Sequence, residues 1–559
     1  MPLRQPASEA WEGQDAGASS SSPSQRSARG KHPIFLLPSA FEGRPAVMVF
    51  GAARRGDGRR LMHPGVPVET RGRKVFWKFG GGGPLFQALV ATCERSGLCR
   101  AEEDSDDFTL LWTFQVTLAL LRSLSAAQRV NHFPGTRKHL GQKDFLARHL
   151  ARMHERFGQA YGVAPTSFAM PQEWKAWERS YLDTPYSVWI WKPSRGREGD
   201  GIVILCPSAS ADDVAMGDAL AQKKGVIQKY IGNPLLVEGF KFDLRLYVVV
   251  SSYDPLKVYL NTEGLVRLAT EKYTCDIETL GTRTMHLTNY SINKHSENFV
   301  RNTDDGRGGS AASAGRCMPS KCSLQELRAH FKRHSLDFDG LFERIADLVV
   351  KTLIAVEPHV RKACAPDGDD GEDLAARCFE IFGFDVMVDD KLQPWLLEVN
   401  TWPSLRSDSP LDKRIKHALV EDCLTLLGLQ QPLRTGSVAS PSAAKKRGCD
   451  DMSDDDNNDD KDEDDEDDQD DVAATLANMA PITAVAAFDD SAWEIVIDAH
   501  EESLRVGGLR RIFPPADAGK HDYSVFFEKE SFGNVVLRKW NEAGCDAALL
   551  QAQKKRFAR

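Results

Sequence analysis

The chain has 559 residues, of which 42% are hydrophobic and 27% are charged, and this length suits about two to four globular domains rather than one. No apolar run reaches the roughly 18 residues of a membrane span, and the N-terminus lacks the basic and then apolar pattern of a secretory signal. The eleven cysteines form no CxxC pair, which favours reduced thiols in the cytosol over a disulfide framework.

Charge is distributed unevenly along the chain. The net charge is −9, but residues 450–471 alone hold 16 acidic residues and one lysine, so the remainder is mildly basic. A basic body favours an acidic partner, either nucleic acid, anionic lipid or an acidic protein tail. The aspartate run predicts an extended linker. Two further hypotheses for this run are that it shields basic surface or is itself modified.

Two stretches, 1–32 and 432–475, are predicted to be disordered. Between them, predicted helices and strands are mixed along the chain. Helical spacing is predicted over 110–127, 143–157 and 340–357. The strand-like runs are 187–191, 202–205, 225–230, 243–250, 256–260 and 379–388. Because helices rarely separate these strands, we expect an α+β fold with antiparallel sheets. Apolar residues return after about 480, as a small helical module or a segment that packs on the body.

A glycine-rich loop follows an apolar strand in "WIWKPSRGREGDGIVIL", residues 189–205. Lys192 ends the strand, and Gly199 and Gly201 lie in the loop before the next strand. Such a loop can close over phosphates, offering backbone N–H groups and a lysine charge. The alternative is an ordinary hairpin with a solvated loop.

The stretch 226–250 combines a hinge with a charged strand face. Residues Gln228–Ile231 follow a strand and can present backbone edges to an adenine. Lys241, Asp243 and Arg245 then alternate on one face, as in a half-buried strand. The charges either pair in solvent or line a cleft, and the core-like run that follows favours the cleft.

Two weaker signals lie further along the chain. Arg267 occurs in an apolar setting and is suited to carboxylate capture. The stretch "TMHLTNYSINK", residues 284–294, supplies Thr288, Asn289 and Lys294. Surface loops often look similar, so neither signal alone defines a site.

A predicted hairpin in 378–405 carries an all-oxygen ligand set. Asp385 lies inside the first apolar strand, where a carboxylate needs a cation or hydrogen-bond donors. Glu398 and Asn400 share one face at the end of the second strand. Either this strand end meets solvent, or the three side chains bind Mg²⁺ beside nucleotide phosphates. The presence of Asp385 favours the metal.

Seven motifs in the same order resemble the tubulin–tyrosine ligase-like family, which are ligases of the ATP-grasp type. They are "NHFPGTRKHLGQKDFLAR" (131–148), "WKP…GDGI" (191–202), "IQKYI" (227–231), "KFDLRLYV" (241–248), "YDPLKVYLNTEGLVR" (253–267), "MHLTNYSINK" (285–294) and "FGFDVMVDDKLQPWLLEVNTWPSL" (382–405). The resemblance covers about 35–430, and the form of the sixth motif is similar to that of the polyglutamylase branch. One departure is Asp200, whose charge near phosphates would weaken ATP binding unless Arg195 and Arg197 compensate.

The resemblance implies a role for each matching residue. ATP would be bound by Lys192, Gly199, Gly201, Gln228, Lys229, Tyr230, Ile231, Lys241 and Asp243. Mg²⁺ would be bound by Asp385, Glu398 and Asn400. The amino acid or acyl phosphate would be bound by Arg245, Arg267, Thr288, Asn289 and Lys294, and of these Arg245, Arg267 and Lys294 would be catalytic.

The resemblance also implies a domain order and a function. The implied segments are a disordered 1–32, core parts 33–175, 176–250 and 251–431, an acidic linker 432–475 and an accessory segment 476–559. The implied activity is ATP-dependent addition of L-glutamate to glutamate side chains of α- or β-tubulin tails through an acyl phosphate. We expect a monomer in the cytoplasm, on the cytoskeleton, a cilium, a flagellum or a basal body, without nucleic-acid or membrane partners. The alternatives are a glycylase, a glutamylase of other acidic proteins, or a catalytically weak microtubule-binding scaffold.

Overall fold

The fold is described from a computed structural model of the chain. The residues that it describes are 32–51, 68–70, 74–80, 86–184, 187–196, 198–206, 220, 222–302, 318–365, 373–431, 484–515 and 521–553. The predicted acidic linker 432–475 and all of the predicted segment 1–32 except His32 lie outside them. None of the described helices has both the length and the hydropathy to cross a membrane.

The described strands run in chain order from β1 to β18. They are β1 Ile34–Leu37, β2 Val47–Val49, β3 Val68–Thr70, β4 Phe76–Gly80, β5 Cys99–Arg100, β6 Leu110–Thr113, β7 Arg129–Val130, β8 Ser167–Met170, β9 Trp189–Pro193, β10 Val203–Leu205, β11 Gly225–Lys229, β12 Leu236–Val237, β13 Phe240–Tyr253, β14 Leu256–Lys272, β15 Lys321–Ser323, β16 Glu380–Val388, β17 Pro394–Asn400 and β18 Leu509–Phe513.

The described α-helices are α1 Gln87–Arg95, α2 Leu118–Ser123, α3 Thr136–His139, α4 Lys143–Phe157, α5 Trp174–Asp183, α6 Arg283–His286, α7 Tyr290–Asn293, α8 Leu324–Arg333, α9 Phe338–Cys364, α10 Pro410–Leu426, α11 Asp490–Ser503, α12 Phe532–Glu542 and α13 Ala547–Ala552. The predicted helix 143–157 is therefore confirmed, and the predicted helix 340–357 is part of the longer α9. Asp337 caps α9 by accepting a hydrogen bond from the backbone N–H of Gly340 at 2.8 Å.

An antiparallel sheet forms the centre of the molecule. Its strand order is β15-β14-β13-β16-β17, with β12 on β13 and β18 on β14. Helix α9 packs an apolar face on this sheet through Leu341, Ile345, Leu348 and Leu353, all of them buried. A smaller antiparallel sheet has the order β10-β9-β11-β8. These two sheets confirm the predicted α+β class with antiparallel strands.

The N-terminal region departs from the prediction in two ways. Strands β4, β5, β6 and β7 form a parallel sheet, so the sheets are not all antiparallel. The predicted helix 110–127 is wrong, because Leu110–Thr113 form β6 and only Leu118–Ser123 are helical. The residues of β6 are all buried, as in a parallel strand. The helix begins only where the Thr117 side chain accepts a hydrogen bond from the N–H of Leu120 at 3.2 Å.

The hairpin of β16 and β17 forms where the sequence predicts it. Asp389 closes its turn, because Asp389 Oδ1 accepts hydrogen bonds from the backbone N–H groups of Lys391 and Gln393, each at 2.9 Å. The resulting register places Asp385 opposite Glu398 and Gly383 opposite Asn400. The hairpin therefore gathers the three predicted metal ligands.

The C-terminal segment both folds as helices and packs on the body. Strand β18 extends the central sheet by pairing with β14. Glu502 on α11 accepts hydrogen bonds from Lys257 Nζ and the Tyr259 hydroxyl of β14, each at 2.7 Å, and from Ser251 Oγ of β13 at 3.1 Å. These contacts fasten α11 to the two longest strands. The predicted domain boundaries stay predictions, and the one between 250 and 251 falls inside β13.

Candidate active site

A cleft between the two antiparallel sheets contains the largest share of the predicted site residues. It comprises a cavity of about 590 Å³ beside α4 and a smaller one of about 80 Å³ beside the glycine-rich loop. The two cavities have eight lining residues in common: Lys143, Lys192, Gln228, Lys229, Tyr230, Ile231, Leu397 and Glu398. The predicted hinge Gln228–Ile231 therefore lines both.

Lys192 is held at the centre of the cleft by acceptors from both sheets. Its Nζ donates to Gln228 Oε1 at 2.7 Å and to the carbonyl of Leu397 at 3.4 Å. Gln228 in turn donates from Nε2 to Ser167 Oγ at 2.9 Å. Burial, which disfavours the charged form, lowers the pKa of Lys192 to about 8. The ammonium group is thus positioned for an anionic ligand, which would stabilise its charge and raise its pKa.

Lys241 is a second buried lysine and lies against aromatic rings. Its Nζ donates to the Tyr230 hydroxyl at 2.7 Å and lies 4.2 Å from the centroid of that ring. The Tyr273 ring centroid is 5.4 Å away, so two π-faces also stabilise the cation. Burial lowers the pKa of Lys241 to about 7.

Two arginines and two aspartates form one buried network on the central sheet. Strand register pairs Asp243 with Arg267 and Arg245 with Asp385. Arg267 Nε donates to Asp243 Oδ1 at 2.7 Å, and Arg245 Nη2 donates to Asp385 Oδ2 at 3.0 Å. Although burial favours the neutral acid, the charges of Arg245 and Arg267 hold the pKa of Asp385 below its ordinary value. The two arginines therefore keep Asp385 ionised although it is buried.

Glu398 and Asn400 complete the predicted metal set at the end of β17. Lys143 Nζ lies 3.1 Å from Glu398 Oε2, and Asn400 Nδ2 donates to Glu398 Oε1 at 3.4 Å. Across the described residues, no group of three or more Asp, Glu, His or Cys side chains is arranged to hold a metal. The predicted set contains two carboxylates and one amide. All its donors are oxygens on one hairpin, which fits Mg²⁺ in chemistry.

The glycine-rich loop needs its glycines for backbone conformation and space. Gly199 has φ +86° and Gly201 has φ +66°, both in the left-handed region. A Cβ on Gly199 would lie 2.8 Å from Ile292 Cδ1, which is closer than packing allows. Arg283 Nη2 donates to the carbonyl of Gly199 at 2.7 Å. The loop is therefore held against the 283–292 segment.

Most of the remaining predicted residues also lie at this cleft. Thr288 and Asn289 line the smaller cavity, and so does the exposed Asp200. Lys294 does not line either cavity; its Nζ lies 5.9 Å from the centroid of the Tyr290 ring.

Three residues at the cleft were missed in the sequence. Lys143 starts α4 and contacts both Glu398 and the carbonyl of Gly196, the latter at 3.1 Å. Ser167 supports Gln228, and His286 accepts a hydrogen bond from Tyr230. Lys143 and His286 stand within the quoted motifs "HLGQKDFLAR" and "MHLTN", so the motifs themselves were a signal. No local pattern pointed to Ser167.

Acidic and basic groups are balanced around the smaller cavity. The basic residues that line it are Lys143, Lys192, Lys229, Lys241 and Arg267, and the acidic ones are Glu198, Asp200, Asp243, Asp385 and Glu398. Such a lining suits a ligand that combines negative phosphates with a cation more than it suits a simple anion.

Comparisons with known proteins identify the family of the chain and several relatives. Residues 121–436 match the model of the tubulin-tyrosine ligase family. The tubulin monoglutamylase TTLL4 of Homo sapiens is 32% identical over 91% of this chain, and the tubulin polyglutamylase TTLL6 of Mus musculus is 38% identical over 62% of it. The tubulin polyglutamylase TTLL13 of Mus musculus is 33% identical over 79% of it. The chain spans 40%, 39% and 49% of the length of these three relatives.

The family match covers more than half of the chain and contains every predicted site residue from Lys192 to Asn400. It confirms the resemblance predicted from the seven ordered motifs. The chain belongs to the tubulin-tyrosine ligase family.

Proposed function

We propose that the chain is an ATP-dependent ligase that adds L-glutamate to glutamate side chains in the C-terminal tails of tubulin. The observation that carries the proposal is that Lys192 and Lys241 line one cavity together with Asp385 and Glu398. Binding a nucleoside triphosphate with a divalent cation calls for this combination of buried lysines and carboxylates. The names of the three relatives support glutamate as the amino acid and tubulin as the acceptor.

The first half-reaction forms an acyl phosphate and ADP. A carboxylate oxygen of the acceptor glutamate attacks the γ-phosphorus of ATP, and the bond from that phosphorus to the β,γ-bridging oxygen breaks. Lys192 and Lys241 bind the phosphate oxygens and offset their negative charge. When held by Asp385, Glu398 and Asn400, Mg²⁺ supplies further neutralisation of phosphate charge.

The second half-reaction forms the isopeptide bond. The α-amine of free L-glutamate attacks the acyl carbon, phosphate leaves, and the amine loses a proton to solvent. Arg245 and Arg267 stabilise the anionic acyl centre, while Thr288 and Asn289 help to position the reactants. Holding amine and acyl phosphate together can remove about 7–11 kcal/mol of the barrier. The roles proposed for Arg245 and Lys294 rest on the family resemblance alone, because neither residue lines either cavity.

Parallel incorporation assays test this proposal. The protein is incubated with ATP, Mg²⁺ and tubulin, and with either radiolabelled glutamate or radiolabelled glycine. We expect label from glutamate, dependent on ATP and Mg²⁺, and retained on the tubulin tails. Action on tubulin would place the protein at the cytoskeleton.

The same assays separate the alternatives. Label from glycine alone would identify a glycylase, and label on other acidic proteins but not on tubulin would change the acceptor. If neither amino acid labels tubulin but the protein still co-sediments with microtubules, a catalytically weak microtubule-binding scaffold would be favoured. Each of these outcomes would overturn the proposed activity.

A further inference from the structure

A hydrogen-bonded chain runs from Lys241 to the loop before α6. Lys241 Nζ lies 2.7 Å from the Tyr230 hydroxyl, and that hydroxyl lies 2.9 Å from His286 Nδ1. His286 Nε2 lies 3.0 Å from the carbonyl oxygen of Thr279. Lys241 and His286 are each only 2% exposed. These two side chains are therefore largely shielded from bulk solvent.

The chemistry of each group fixes the direction of these hydrogen bonds. The Thr279 carbonyl can only accept, so His286 Nε2 carries a proton. Burial, and then the charge of Lys241, lower the pKa of His286, so the imidazole is neutral and its Nδ1 accepts. Burial raises the pKa of Tyr230, so its hydroxyl keeps its proton and donates to His286. The Tyr230 oxygen is then left to accept from Lys241.

Removing the acceptor atom of His286 would disturb the directions of these hydrogen bonds. The Tyr230 hydrogen would lose its partner in a buried place, which costs free energy, or turn toward another neighbour, the ammonium group or the Tyr273 hydroxyl. In either case the Tyr230 oxygen would no longer be reserved for Lys241. The geometry of Lys241 therefore depends on His286, a residue far from both phosphate-binding lysines in the sequence.

His286 also belongs to the segment that holds the glycine-rich loop. It ends α6, in which Arg283 donates to the carbonyl of Gly199, and two residues later Thr288 lines the smaller cavity. One short segment thus contacts Tyr230 and the glycine-rich loop, and it also lines the cavity. A shift of His286 would be transmitted to both sides of the nucleotide site.

We propose that His286 is a positioning residue that acts through Tyr230 to hold Lys241 toward the phosphates of ATP. This inference rests on the proposed function, because it names ATP as the anion. It assigns to His286 a role in nucleotide affinity rather than contact with the reacting atoms.

The test compares His286→Phe, which removes the acceptor, with His286→Asn, whose amide oxygen can replace Nδ1. Affinity for Mg²⁺–ATP is measured by calorimetry, and KM for ATP and kcat by glutamate incorporation. We expect His286→Phe to weaken ATP binding and raise its KM about tenfold, as for loss of one partner of a buried hydrogen bond. We expect kcat at saturating ATP to change less than about twofold and His286→Asn to stay within about threefold of the wild type.

A matched control is His330→Phe, because His330 is also buried but lies on α8, stacked on His334 with ring centroids 4.1 Å apart. It should leave ATP affinity unchanged. Thermal unfolding of each variant shows that the fold is retained.

A double-mutant cycle with Tyr230→Phe gives a readout that loss of structure would not produce. Once the Tyr230 hydroxyl is absent, His286→Phe should weaken ATP binding by less than about twofold further. An undiminished effect in that background would overturn the inference, and so would unchanged ATP affinity of His286→Phe alone. Wild-type protein that binds no ATP would instead overturn the proposed function.

Discussion

Arg267 reaches across an entire strand to contact Asp385. Arg267 is on β14 and Asp385 is on β16, with β13 between them in the sheet, yet Arg267 Nη2 lies 2.9 Å from Asp385 Oδ2. The intervening strand contributes Asp243 and Arg245, two residues apart on the same face, and each pairs with one of the two. The alternation of charge across three strands joins the four side chains in one network, and of the two arginines Arg267 lines the smaller cavity.

We expect Asp385→Asn to abolish glutamate incorporation and to lower the free energy of unfolding at pH 7 by about 3–5 kcal/mol. The variant leaves the Arg245 guanidinium without its carboxylate and removes one of the two carboxylates that contact Arg267. Asp385 has a depressed pKa in the folded state, so its stabilisation is present above the ordinary value of 3.8 and lost as pH falls below it. The difference between variant and wild type should therefore shrink below pH 4.

Urea unfolding at several pH values measures this effect. Asp339→Asn is the control, because Asp339 pairs with Arg328 on the surface, where such pairs contribute about 0–1 kcal/mol. Equal stability losses in the two variants would contradict the role of the buried network.

ATP affinity should fall as pH rises through about 8. Burial lowers the pKa of Lys192 to about 8, and the phosphates bind its charged form, which is lost above that pH. Binding at pH 8 should draw protons from the buffer, because the anion raises the lysine pKa. Calorimetry in buffers of different ionisation enthalpy detects this uptake, and a binding enthalpy that did not vary with buffer would rule it out.

Glu398→Gln should eliminate glutamate incorporation while leaving the fold intact, because it removes the charged oxygens proposed for Mg²⁺ and the partner of Lys143. Glu155→Gln is the matched control, since Glu155 lines the larger cavity without belonging to the predicted metal set. Radiolabel incorporation over a range of Mg²⁺ concentrations compares the two. Full activity of Glu398→Gln would exclude Glu398 as a ligand.

Glu502→Ala should lower the stability of the whole protein rather than that of a separate C-terminal unit. It removes the acceptor for Lys257 and Tyr259, both of which are buried, and breaking such a buried pair costs about 3–5 kcal/mol. Differential scanning calorimetry should show one transition at a lower temperature. The exposed Glu494 on the same helix provides the control, and an early transition for α11 alone would disprove the coupling.

Deletion of the aspartate run 450–471 should leave glutamate incorporation and tubulin affinity unchanged, as for a simple linker. The run lies outside the described residues, so its role is a question for the assay. Reduced self-labelling would show that the run is itself modified, and tighter tubulin binding would show that it shields basic surface.

The sequence predicts the hairpin well because its information is local. Asp385, Glu398 and the turn at Asp389 lie within one short stretch, and strand alternation with turn chemistry defines their register. The contacts of Lys143 and His286 could not be predicted in this way, because they depend on packing between segments far apart in the chain. The prediction of one helix over 110–127 is wrong because periodicity does not distinguish strand from helix in a short buried apolar run.

The pairing of β18 with β14 has a consequence for biosynthesis. Strand β14 carries Arg267, and its edge is covered by β15 at one end and β18 at the other. Residues 509–513 emerge from the ribosome long after β14, so part of this edge stays uncovered while almost half of the chain is being translated. An uncovered edge is a template for aggregation. We therefore expect the nascent chain to depend on chaperones until residues 509–513 have left the ribosome.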